Sequence, residues 1–242
     1  SYRDIIYQNP YAYPFTGLYS NFAGNTDIYN GTGIKDLKVY RIDKADFLHI
    51  EDLSKKKDEF RLVEDASNGD SGVYTLSTRD DGVYLKMFMP SKENSVFYLE
   101  YTITDAVVLH DDVAELFWNV LGDGYTERIE DFQVLVHLPG DGDSDLRVWT
   151  HGPLTGENKI IDAKTVWFKD TDVGSYEAET IRLMFNLNLV PNGTKYSHVL
   201  GRENILKVEQ VMADEANAYR EQHRLEAVSY THLRAHETSQ DL

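Results

Sequence analysis

The chain has 242 residues, enough to bury a core as one large β domain or two small ones. Its formal net charge of -17, from 41 acidic against 24 basic residues, repels nucleic acid and anionic headgroups, so DNA, RNA and peripheral membrane binding are excluded. It has no cysteine, which removes disulfides, thiolate chemistry and cysteine-based zinc sites, while 16 tyrosines and 10 phenylalanines lean towards β structure.

The first 33 residues are rich in Tyr, Asn, Gly and Pro. Tyr7-Gln8-Asn9-Pro10 and Tyr13-Pro14-Phe15 read as irregular chain entering a sheet edge, and Asn30-Gly31-Thr32-Gly33 as a turn. Residues 34–42 alternate as a strand, with Leu37 and Val39 on one face and Lys38, Tyr40 and Ile42 on the other. Residues 51–59 carry Lys55-Lys56-Lys57 and read as a solvated charged loop. Asn68 to Gly72 is a turn. Residues 73–77 and 83–89 are short strands, and the Asp81-Gly82 step between them is a hairpin signal.

Residues 95–108 form the clearest strand, with Phe97, Leu99, Tyr101 and Ile103 on one face. Phe132, Val134, Val136 and Leu138 repeat the period, as do Leu146, Val148 and Thr150. Residues 165–169 are a short aromatic strand. Ile181, Leu183, Phe185, Leu187 and Leu189 mark the last long one, stopped at Pro191-Asn192-Gly193. The period then changes: Ile205, Val208, Met212, Ala216 and Tyr219 recur at three- and four-residue steps and predict a helix over 203–226. No stretch reaches the roughly 18 apolar residues of a membrane helix. The fold class is therefore mainly β: an antiparallel β-sandwich, Ig-like or jelly-roll-like, with a C-terminal α-helix.

The segment Asp111-Asp112-Val113-Ala114-Glu115-Leu116-Phe117-Trp118 is the most distinctive in the chain. It is followed by Gly122-Asp123-Gly124-Tyr125, by a strand ending His137-Leu138-Pro139, and by Trp149-Thr150-His151-Gly152-Pro153-Leu154-Thr155-Gly156. Together with Tyr2-Arg3-Asp4-Ile5 near the start and Glu215-Ala216-Asn217 in the helix, this succession resembles the predicted bacterial membrane proteins of the domain of unknown function 2207 family. The resemblance covers about residues 1–226. It implies a β domain on the extracytoplasmic side of the cell membrane, attached through a membrane segment that lies C-terminal to it. It carries no activity, so no catalytic residue follows from it. The expected organisation is an ectodomain over 1–200, a juxtamembrane helix over 201–227 and a disordered tail over 228–242. The tail stands apart because Ser229-Tyr230-Thr231-His232-Leu233-Arg234-Ala235-His236-Glu237-Thr238 resembles a translated sequencing adapter.

Asp111, Asp112 and Glu115 beside Trp118 are what glycoside hydrolysis requires: an acid, a base or nucleophile, and a ring for the sugar. The bland alternative is that Asp111 or Asp112 caps a short helical segment, Glu115 pairs with a nearby Arg, and Trp118 enters the core. Trp149 and His151 join these as a candidate binding cluster. Trp118, Trp149 and Trp167 with Tyr125 could make an aromatic platform, though strand tryptophans are more often core. His137 and His151 could start a zinc site, yet no His-Glu-x-x-His pattern is present. No cofactor is expected. Calcium is the alternative, at Asp141, Asp143 and Asp145, although the sixth and twelfth positions of that loop are Leu146 and Gly152 rather than the Gly and Glu of an EF-hand. The leading expectation is a ligand- or partner-binding or structural module that meets an envelope polymer or protein. A hydrolase using Asp112 and Glu115, and a calcium-stabilised adhesion-like module, are the alternatives.

Overall fold

The structure is a computed structural model that describes residues 2–9, 26–29, 31–42, 57–67, 69–79, 82–90, 96–122 and 127–240. The expected aromatic entry past Asn9, the charged loop over 51–56, Asn68 and the turn at 123–126 with Tyr125 lie outside the described residues. In chain order the strands are β1 (Tyr2–Asn9), β2 (Gly33–Ile42), β3 (Lys57–Glu59), β4 (Arg61–Leu62), β5 (Val73–Arg79), β6 (Gly82–Pro90), β7 (Val96–Thr104), β8 (Val107–Leu109), β9 (Ala114–Leu121), β10 (Ile129–His137), β11 (Arg147–His151), β12 (Glu157–Ile160), β13 (Thr165–Val173) and β14 (Glu179–Phe185). Helix α1 follows over Arg202–Gln240. The molecule is mainly β, as its alternation dictates, and among the described strands only β4 and β5 pair in parallel.

The strands make four sheets: β1-β6-β5-β4, β3-β2-β7, β10-β13-β12 and β11-β14-β9-β8. Val39, Phe60, Tyr74, Leu85 and Met87 form one buried cluster from the first two, with Leu37, Phe97 and Leu99 packed against it. The β5–β6 hairpin closes with Arg79 opposite Gly82, where the Asp-Gly step foretold it. The expected strand over 95–108 is instead two, β7 and β8. Asp105 breaks it with a left-handed φ of 56°, and its carboxylate accepts hydrogen bonds from the Thr32 and Thr194 hydroxyls.

A second cluster lies between the other two sheets and holds Ala114, Leu138, Leu146, Val166, Ile181, Leu183 and Phe185. The sheet β11-β14-β9-β8 has a third layer on its far side. There Val113, Phe117 and Met184 meet Tyr29 from the 3-10 turn Thr26–Tyr29 and Ile205 from helix α1. This sheet is therefore covered on both faces, and all seven residues of β14 are buried. Alternation along β14 sends Ile181, Leu183 and Phe185 into the sandwich and Arg182 and Met184 towards the helix.

Three local expectations change. The segment 111–118 contains no helical turn: it enters strand β9, with Ala114, Leu116 and Trp118 on the sandwich side and Phe117 on the helix side. The last long strand stops at Phe185, because the Asn186 side chain accepts from the Asn188 amide and starts a 3-10 turn at Leu187–Leu189. Helix α1 runs on to Gln240, past the expected end at 226, with no Gly or Pro in its 39 residues to stop it. At 1.5 Å per residue it is roughly 58 Å long. Its first turns pack on the sheet through Ile205, Val208 and Met212, while Val211, Tyr219 and Leu225 are exposed.

Candidate functional site

The layer between the sheet and helix α1 is not wholly apolar. Arg182 of β14 is completely buried there, where a lone guanidinium would be very costly. Its Nε donates to Glu115 Oε1 at 2.6 Å and its Nη1 donates to Glu209 Oε1 at 2.8 Å. Glu115 is on the neighbouring strand β9, and Glu209 is on the buried face of α1, one turn after Ile205. Burial acts to lower the Arg182 pKa, but the two carboxylates outweigh it and hold the group above its usual value. The guanidinium carbon also sits 4.8 Å from the Phe117 ring centre.

Glu115 has further partners. Glu115 Oε2 accepts from the Tyr29 hydroxyl at 3.2 Å and lies 2.7 Å from His110 Nε2. His110 Nδ1 lies 2.6 Å from Ser197 Oγ. The His110 ring thus links Glu115 to Ser197 through its two nitrogens. At the other end His151 Nε2 is 3.3 Å from Glu209 Oε1. Burial raises the Glu209 pKa, but the His151 hydrogen bond and Arg182 more than reverse this, leaving it below the usual carboxylate value. One network thus ties the Tyr29 turn, β9, β11, β14 and α1 together.

Each candidate residue now has a place. Glu115 pairs with an arginine, as the bland alternative held. Asp112 is a cap, but of α1 rather than of a local helix: its Oδ1 accepts from the Gly201 amide at 2.6 Å and its Oδ2 from the Arg202 amide at 3.2 Å. Asp111 is exposed. Trp118 packs into the sandwich and Trp149 against the helix layer, on opposite faces of one sheet, so they share no platform. His137 lies on β10 in the other sheet and meets Thr165, away from His151. The pair of carboxylates that a hydrolase needs is not assembled on an open cleft: Glu115 is sealed in an ion pair and Asp112 holds a helix terminus.

The acidic loop is likewise engaged. Asp143 accepts from the Asp145 and Asn186 amides, and Asp145 pairs with Arg147 and Arg202. Arg202 and Arg147 hold the Asp145 carboxyl below its usual value. Among the described residues no group of three or more His, Asp or Glu side chains is placed to hold a metal ion.

Two features escaped sequence reasoning. One is Arg182, which in an Ile-x-Leu-x-Phe alternation reads as solvent-facing. The other is a cavity of about 380 Å³ between helix α1 and the 151–156 loop, with Trp149, His151, Leu154, Glu179, Met212 and Arg220 in its walls. Glu179 is 1% exposed, and its pKa is pushed up to about 8, first by burial and then by Asp170 and Glu177. A glutamate opening a buried strand was the available signal.

Among the described residues no helix is long and apolar enough to cross a membrane. No curated protein and no solved structure is similar to the chain. A family model does match, over residues 4–185, from within β1 to the end of β14, so helix α1 falls beyond it. That model describes the N-terminal domain of a predicted membrane protein, DUF2207, and by this match over most of its length the chain belongs to that family.

Proposed function

We propose that the chain is a non-catalytic extracytoplasmic module of a membrane protein, whose β-rich head is clamped to a helix that connects it to the membrane-borne part. The observation that carries this reading is the buried Glu115–Arg182–Glu209 network. It occupies Glu115, one of the two carboxylates that the alternative hydrolase reading required. It also joins helix α1 to the sheet through charges that lose their partners if the helix lifts away, which costs about 3–5 kcal/mol for a buried pair. The membrane-protein family supports membrane association, and the acidic, cysteine-free composition suits a surface facing the envelope. A head fixed in this way suits transmission of a binding event along a rigid helix.

The test is turnover. Purified protein is incubated with envelope polysaccharides and peptides, beside Glu115→Gln. No product is expected from either. Product formed by the natural chain and abolished in Glu115→Gln contradicts the proposal.

A further inference from the structure

The sandwich interior holds a second pair of carboxyl groups, and among the described residues no Lys, Arg or His pairs with them. Asp170 continues the inward-facing row Val166, Phe168 on β13, and Glu179 opens β14 ahead of a register irregularity at Thr180, before the inward row Ile181, Leu183, Phe185. The two strands belong to facing sheets, so the pair spans the sandwich at one end. Both residues are 1% exposed. Asp170 Oδ1 accepts from the Thr155 hydroxyl at 2.8 Å and the Thr171 amide at 2.6 Å. Asp170 Oδ2 and both Glu179 carboxyl oxygens are buried with no hydrogen-bond donor.

Core positions normally take apolar side chains, and an unsatisfied buried oxygen costs about 1–3 kcal/mol. A proton shared between the two groups joins two of the three oxygens and leaves the third bare. A hard cation takes all three, displacing the proton that burial favours on Glu179. The loop above is shaped to the carboxylates. A Cβ on Gly152 would overlap Glu179 Oε2, and one on Gly156 would stand 3.2 Å from Asp170 Oδ2. The Ala178 and Pro153 carbonyl oxygens approach the same two glycines, at 3.0 and 3.5 Å from those Cβ positions. Pro153 O already accepts from the Gly156 amide, and carboxylate oxygens beside backbone carbonyls are the oxygen type that a hard cation takes.

We infer that Asp170 and Glu179, beneath the Gly152–Gly156 loop, form a calcium site. The site differs from the Asp141–Asp145 loop, whose middle and last carboxylates are already bonded to amides and arginines. It goes beyond the module reading and stands apart from it: its failure leaves the turnover and membrane-side tests untouched.

The experiment is a thermal melt of chelator-treated protein with calcium, magnesium or sodium, with calcium stoichiometry from calorimetry. Calcium at about a hundred times its Kd is expected to raise Tm by about 5–10 °C, with one ion per chain. Asp170→Asn and Glu179→Gln lose the shift, and Asp141→Asn keeps it. Without calcium, Glu179→Gln melts at or above the natural protein, since its amide supplies the hydrogen-bond donor that the buried carboxyl oxygens lack, so loss of the shift is not loss of the fold. No rise with calcium, a rise that survives Glu179→Gln, or an equal rise with magnesium or sodium overturns the assignment.

Discussion

Arg182 and Glu115 are diagonal neighbours on adjacent strands, with Nε 2.6 Å from Oε1 and neither side chain exposed to solvent. A pair so placed is a commitment: with water excluded, removing either partner strands the other.

Arg182→Ala is therefore expected to destabilise the protein by about 3–5 kcal/mol. The triple change Arg182→Met, Glu115→Leu, Glu209→Leu removes all three charges together and is expected to recover most of that loss. Chemical denaturation of the two variants checks both. Equal loss in both would mean that packing, not stranded charge, sets the cost.

The helix end of the network sets an acid limit. Glu209 has a folded pKa below its ordinary value of 4.5, so its contribution to stability is full above that value and is lost as pH falls through the folded value. Amide exchange in the first turns of α1 is expected to accelerate over that window before the sandwich opens. In Glu209→Gln this acid dependence flattens, with a lower plateau at neutral pH.

Asp112 acts on α1 from the β8–β9 connection. Asp112→Ala is expected to cost about 1 kcal/mol, read as faster exchange at Gly201 and Arg202 with the sandwich amides unchanged.

Gly152 tests the loop over the second carboxyl pair. Gly152→Ala drives a methyl group into the Glu179 carboxylate and is expected to destabilise the protein by about 1–3 kcal/mol. Combining it with Glu179→Ala, which clears the space, is expected to cost less than the two single changes added together.

The β class and many of the strands were legible because side-chain alternation is strict where one face is buried, as in β10, where Phe132, Val134 and Val136 face in. The helix start was legible from its apolar stripe. Glu209 also lies on that stripe, but a carboxylate among Ile205, Val208 and Met212 announces a buried partner without naming it. Arg182 was hidden because period-two reasoning gives the second face of a strand to water, and this sheet carries a helix there instead. Asp105 and Asn186 ended strands through side-chain hydrogen bonds, which no periodicity records. Asp112 was legible as a cap, but its helix begins 90 residues away in sequence.

The side of the membrane decides the proposed role most directly. Because the chain has no cysteine, one placed at the exposed Ser144 is the only thiol in these residues. Cells expressing the membrane-borne protein with Ser144→Cys are treated with a membrane-impermeant maleimide. Labelling in intact cells, equal to that after lysis, is the predicted result. Labelling that appears only after lysis would place the module in the cytoplasm and contradict the account.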